Sequence, residues 1–301
     1  MRLIHSSQLT AASAPTPNVI RAMAGISESQ LRGWIERIAV PRHTVGQAEA
    51  NRSCADWLRK QLADWGYAAE LDGSHRNVVA LPENIHATEM VLVGAHYDSV
   101  PGSPGADDNA SAVATLLGCA EAIARHVPQT PVCFVAFNGE EDGMVGSHDF
   151  VESFLAQANF KLRAAHILEM TGFASSTPGS QRLPTGLPIQ LPERGDFLGL
   201  LANKTSGGMM DSILLDARAH LPEFPVIGLE VVTGAERVFP VLGRSDHVPF
   251  WKRNIPAVMW TDTAEFRNPH YHQPSDTPET LDYRFLRQVT QLLTACVANW
   301  K

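Results

Sequence analysis

The chain has 301 residues and a formal net charge of −8, with 44% apolar and 19% charged residues. This composition builds a sizeable globular core, and without a long basic run it argues against nucleic acid or an anionic membrane as partner. No apolar stretch approaches the ~20 residues of a membrane span, and the length suits one large α/β domain, residues 1–301.

Residues 1–17 read as an extended N-terminal arm, small and Pro-containing from Ala11 to Pro17. Met1 to Thr16 has no sustained hydrophobic core and does not read as a signal peptide. The expectation is a cytoplasmic protein, or a secreted or periplasmic one where a leader is removed. Ser27–Val40 and Thr44–Trp65 show helical periodicity, and Ser27-Glu28-Ser29-Gln30 fits the start of the first helix. Asn77–Leu81 reads as a short strand. Strands and helices then alternate: strand 90–96, helix 109–126, strand 131–137, helix 146–157, strand 164–170. That rhythm predicts an α/β fold with a largely parallel sheet and helices on both faces.

Ala174–Asp196 breaks the rhythm. It is rich in Ser, Gly and Thr and carries Pro178, Pro184, Pro188 and Pro192. It reads as a substrate-side loop, with a plain connector as the alternative. Phe197–Thr205 and Asp211–Ala219 look helical, 225–232 and 256–261 look like strands, and Thr280–Trp300 forms a closing helix. Cys54, Cys119, Cys133 and Cys296 lack metal-type spacing and read as buried free thiols. Met209-Met210 reads as core, with a pocket wall as the alternative.

Acids and histidines recur where the apolar runs end. Val132–Phe137 runs into Asn138-Gly139-Glu140-Glu141, Val91–Ala95 into His96-Tyr97-Asp98, and Ala164–Leu168 into Glu169. The ends of such strands are where open α/β sheets hold their ligands. Two loops add Gly105-Ala106-Asp107-Asp108-Asn109 and Asn268-Pro269-His270-Tyr271-His272. Zinc takes imidazole nitrogen and carboxylate oxygen, and these strand ends and loops supply both. Asp98 stands two residues from His96, on the same side of the strand. It is placed to hydrogen-bond the other imidazole nitrogen, or to cap a turn.

The segments His96–Ser99, Gly105–Ser111, Asn138–Glu141, Arg244–Trp251 and Tyr271–Thr277 together resemble the signature segments of the M28 family of co-catalytic zinc peptidases. They stand in the family's order from about Asn77 to about Tyr283. The resemblance implies a mixed, mainly parallel central sheet sandwiched by helices, and a peptide substrate. It further implies two Zn2+ ions, with Co2+ or Mn2+ also suited to so carboxylate-rich a set. Asp108 would bridge them, with Glu141 and His272 on one ion and His96 and Glu169 on the other. Glu169 departs from the Asp that many family aminopeptidases use. Glu140 would be the general base and Tyr271 an oxyanion donor. Asp246 would support the metal shell by hydrogen bonding, or cap a helix. His247, His270 and His166 would be structural or at the rim. An aminopeptidase is the expectation. A carboxypeptidase or dipeptidase would need a carboxylate clamp from Arg244, Arg267 or Arg194, and a glutaminyl cyclase of the same fold usually uses one zinc. A non-catalytic binding module would lack ligands or base that this chain retains.

Overall fold

The structure is a computed structural model, and it describes residues 1–10, 15–83 and 87–300. The strands in chain order are β1 (Arg2–His5), β2 (Tyr67–Asp72), β3 (Asn77–Pro82), β4 (Glu89–His96), β5 (Val132–Phe137), β6 (Lys161–Glu169), β7 (Leu198–Asn203), β8 (Val226–Val231) and β9 (Ala257–Thr261). They hydrogen-bond into one mixed sheet, ordered β1-β8-β7-β9-β6-β4-β5-β3-β2. The centre, β9-β6-β4-β5, is parallel, and antiparallel pairings lie towards both edges. β5 is buried along its whole length and β4 at every residue after Glu89. Such continuous apolar runs are what a parallel sheet covered on both faces requires.

The helices are α1 (Pro17–Ala24), α2 (Glu28–Ile38), α3 (Ala48–Asp64), α4 (Ala112–His126), α5 (Val145–Asp149), α6 (Leu155–Gln157), α7 (Gly207–His220), α8 (His247–Lys252) and α9 (Tyr283–Ala298). The apolar stripes of α2, α3, α4, α7 and α9 cover one face of the sheet. Phe150 and Val151 of the 145–157 segment, with Phe250 and Trp251 of α8, cover part of the other. Ser27 Oγ accepts the Gln30 N–H at 3.2 Å and starts α2. All four cysteines are free and buried. Met210 is fully buried in the helix-side core and Met209 packs against it. Among the described residues no helix is long and apolar enough to cross a membrane.

Three expectations change. Phe197–Thr205 is not helical: Leu198–Asn203 is strand β7, hydrogen-bonded to β8 and β9. Leu and Ala favour helix locally, but partners on both sides decide for strand. The expected N-terminal arm contains the edge strand β1, paired antiparallel with β8, and Pro17 opens α1; residues 11–14 lie outside the described residues. A four-residue strand is too short for its period to show in sequence. The segments expected as helices 109–126 and 146–157 are interrupted. Wide turns occupy Ala106–Ser111 before α4 and Phe150–Phe154 between α5 and α6.

Candidate metal centre

The sheet brings the strand-end residues together. His96 ends β4, Glu169 ends β6, and Glu140-Glu141 follow β5, on the parallel neighbours that form the middle of the sheet. The turn that carries the two glutamates needs Gly139, at φ +73°, where an added Cβ would collide with Val145. The loop to Asp108 needs Gly105, at φ +58°, where a Cβ would run into the Asp108 carbonyl oxygen.

Asp108 presents its two oxygens to two different histidines. Oδ1 lies 3.4 Å from His96 Nε2, and Oδ2 lies 3.1 Å from His272 Nε2. Glu169 Oε2 is 3.5 Å from His96 Nε2, and Glu141 Oε2 is 3.3 Å from His272 Nε2. Two trios share Asp108, His96–Asp108–Glu169 and Asp108–Glu141–His272, each offering donor atoms within 4.8 Å of one another; a third, His96–Glu140–Glu141, meets the same limit. Two atoms that share a tetrahedral zinc at about 2.0–2.1 Å stand roughly 3.3 Å apart. His96 Nε2 and Glu141 Oε1 are buried and have no hydrogen-bond partner among the described residues, a state that buried polar atoms avoid unless something else completes them. The donor chemistry, the spacing and the orphaned atoms all fit divalent zinc.

The charges agree. Burial disfavours the cationic form of His96, but Glu169, Asp108 and Asp98 outweigh it and hold its pKa well above the ordinary histidine value. His272 is pushed up to about 10, burial again opposing and Asp108 and Glu141 raising it. Burial, with Asp108 nearby, lifts Glu141 to about 7. Burial also raises Glu140 well above the usual carboxylate range. Asp98, Asp108, Glu140, Glu141 and Glu169 thus crowd around two imidazoles, an imbalance that a bound cation relieves.

Supporting residues fix the cluster. The Asp98 carboxylate accepts the N–H groups of Glu140 and Glu141, both at 3.2 Å, and Oδ1 stands 3.4 Å from His96 Nδ1. It therefore holds the glutamate turn and also faces the imidazole. Glu140 Oε2 is 3.9 Å from His96 Nε2, farther than the carboxylates of the two trios. Tyr271 stacks on His272 with ring centroids 3.8 Å apart, and its Oη accepts from Arg244 Nη2 at 2.7 Å.

Asp246 differs from expectation. It neither hydrogen-bonds the cluster nor caps α8 through its side chain. Its Oδ1 accepts from Ser147 Oγ at 2.5 Å, and burial pushes it up to about 7. The neighbouring residue takes the expected role: Ser245 Oγ donates to Glu169 Oε2 at 2.5 Å. Ser245 sits at φ +99°, a conformation that the residue pattern does not announce. Asp276, inside the Tyr271–Thr277 segment, also supports the site: it accepts the N–H groups of Asp107 and Asp108 at 2.9 and 3.1 Å. Arg42 is fully buried and donates to the carbonyls of Tyr97 and Gly105, stitching two site loops together. Arg267 is no free clamp: it is buried and committed to Gln181 Oε1 and the Phe197 carbonyl. Arg194 is exposed. Arg244 stands at the cleft beside the site, paired with Glu265. His247 and His166 are buried, and His270 bonds Ser275.

The sequence model of peptidase family M28 matches residues 77–190 and 228–297. The chain belongs to that family. As an M28 member it is a hydrolase of the peptidase class. It is 34% identical over 242 residues to the uncharacterized protein YfbL of Escherichia coli, covering 76% of this chain and 72% of YfbL. It is 29% identical over 227 residues to the aminopeptidase YwaD of Bacillus subtilis, covering 74% of this chain but 44% of YwaD. Its fold is that of the LapA aminopeptidase of Legionella pneumophila, with TM-score 0.74, 18% identity, and coverage of 96% of this chain and 77% of LapA. It is equally that of the glutaminyl cyclase of Porphyromonas gingivalis, with TM-score 0.66, 19% identity, and coverage of 90% and 97%. The fold is therefore common to both chemistries.

Proposed function

We propose that this M28 member is a two-zinc aminopeptidase. Its ions would be held by His96, Asp108 and Glu169, and by Asp108, Glu141 and His272. The observation that carries the reading is Asp108, whose two oxygens face two separate histidines. Zinc in such a site supplies Lewis acidity towards the scissile carbonyl and makes a nearby water more acidic.

The remaining work falls to the chain's own groups. Glu140, outside both trios, takes the proton of the attacking water and passes it to the leaving amine. Its burial raises its proton affinity, which suits a group that must carry a proton between two steps. The Tyr271 hydroxyl already accepts from Arg244, so its own hydrogen is free to donate to the oxygen that gains charge at the scissile carbonyl. Asp98 and Ser245 hold Glu140, Glu141 and Glu169 in register for this. The excess of carboxylates attracts a cationic α-amino group. The intact pair of trios favours this reading over a one-zinc glutaminyl cyclase. Arg244, being paired with Glu265, is a poor carboxylate clamp for a carboxypeptidase.

The test is mass spectrometry of a mixed peptide library incubated with metal-loaded protein, with and without chelator. Chelator-sensitive shortening from the N-terminus is the expected result. Loss of C-terminal residues instead would replace the reading with a carboxypeptidase, and an unchanged library would overturn it.

A further inference from the structure

The metal centre opens sideways into a cleft of about 390 Å3. Its floor is one face of the sheet, read off the strand register. Starting from Glu169, one row crosses Thr261, Gly199 and Ile227; the next crosses Met259, Leu201, Leu229 and Leu3. Every one of these residues lines the same cleft as Asp108, Glu140 and Glu141. From β6 to β1 there are four interstrand steps, roughly 19 Å at about 4.8 Å each. That exceeds the reach of any single amino-acid side chain. The roof is the 181–191 part of the long Pro-rich loop, with Leu242.

Away from the centre the sheet floor is apolar beyond Thr261, and the polar side chains stand on one wall. Most of them have partners: Gln181 with Thr263 and Arg267, Arg182 with the Glu265 carbonyl, and Arg244 with Glu265 and Tyr271. An extended peptide laid here would bury N–H and C=O groups without partners, which is unfavourable. An alkyl chain has no such groups. At the rise that 1.52 Å carbon–carbon bonds allow, the cleft matches about fifteen carbons.

We propose that the cleft receives the alkyl chain of a long-chain N-acyl amide, so that the centre hydrolyses fatty-acyl amides as well as peptides. This rests on the reading of the cluster as an amide-hydrolysing centre. Water adds to the acyl carbon, the C–N bond breaks, the amine leaves with a proton, and the fatty carboxylate remains.

The test compares the zinc-loaded protein on acyl amides of one fluorogenic amine, from butyryl to hexadecanoyl, with the leucyl amide of the same amine alongside. The expected result is a kcat/KM that rises about fourfold per methylene. Leu3→Trp, which fills the far end, should return the hexadecanoyl amide to the dodecanoyl value and leave the leucyl amide unchanged. Leu229→Phe, one strand nearer, serves if Leu3→Trp does not fold. A rate flat with chain length, or a gain that survives both variants, overturns the proposal. Cleavage of the leucyl amide alone removes this inference and leaves the peptidase reading. Cleavage of acyl amides alone does the reverse. If neither is cleaved, calorimetry with hexadecanoate decides: binding weakened in Leu3→Trp supports an alkyl occupant, and no binding, or binding unchanged in the variant, overturns it.

Discussion

The two faces of the β7–β8 half of the sheet carry alternate residues of the same strands, yet they are covered in opposite ways. On one face Leu198, Leu200 and Val226 lie in the core formed with Met210, Ile213 and Leu214 of α7 and Phe285 of α9, and all are buried. On the other, Leu201 and Ile227 are also buried and Leu229 partly so, but they meet loops across a cleft instead of a helix layer. The first face is packed for stability. The second leaves room beside the chemistry, and a period of two residues suffices to separate the tasks.

Substitutions can break this division if it is false. The largest effect is expected at the proposed base. Glu140→Gln should lower kcat by about 10²- to 10⁴-fold while the metal content and melting temperature stay put; retained turnover would remove Glu140 from its role. Next, Leu214→Ala on the packed face should lose about 2–5 kcal/mol of stability. Leu229→Ala on the cleft face should lose only about 1–2 kcal/mol, the transfer term without a new cavity, since it enlarges a space already open. Denaturant titration of both variants compares them, and equal losses would mean that the cleft is closed in solution. Asp98→Asn should weaken metal binding about 10- to 100-fold, because an amide cannot accept both the Glu140 and Glu141 N–H groups; competition with a chromophoric chelator reads this.

The packed centre of the fold was the most legible part. β4, β5 and the core of β6 are unbroken apolar runs, and α4 and α9 show their spacing plainly. The regions that hold the five candidate ligands are legible for a related reason, since each follows such a run or is a polar loop, and the family resemblance picks out the individual residues. β7 was misread since Leu198–Asn203 has helix-forming residues and declares itself a strand only through β8 and β9. Ser245 was missed beside Asp246, and Arg42 was missed altogether. Their importance lies in which distant atoms they reach, and that follows from backbone angles and loop closure rather than from residue type. The cleft is of the same kind: Leu3, Leu201 and Leu229 are unremarked apolar residues until the register lines them up.

Asn138-Gly139 has a bearing on how the protein ages. Such a pair deamidates when the following backbone nitrogen swings onto the asparagine side chain. Here Nδ2 donates to Asn51 Oδ1 at 3.1 Å and to the His75 carbonyl at 2.8 Å, while Oδ1 accepts from Asn51 Nδ2 at 2.9 Å. Ring closure would have to break all three bonds at a site that is 6% exposed. The turn that carries both glutamates is therefore chemically durable for as long as α3 stays docked, and its shelf life is set by the opening of that helix.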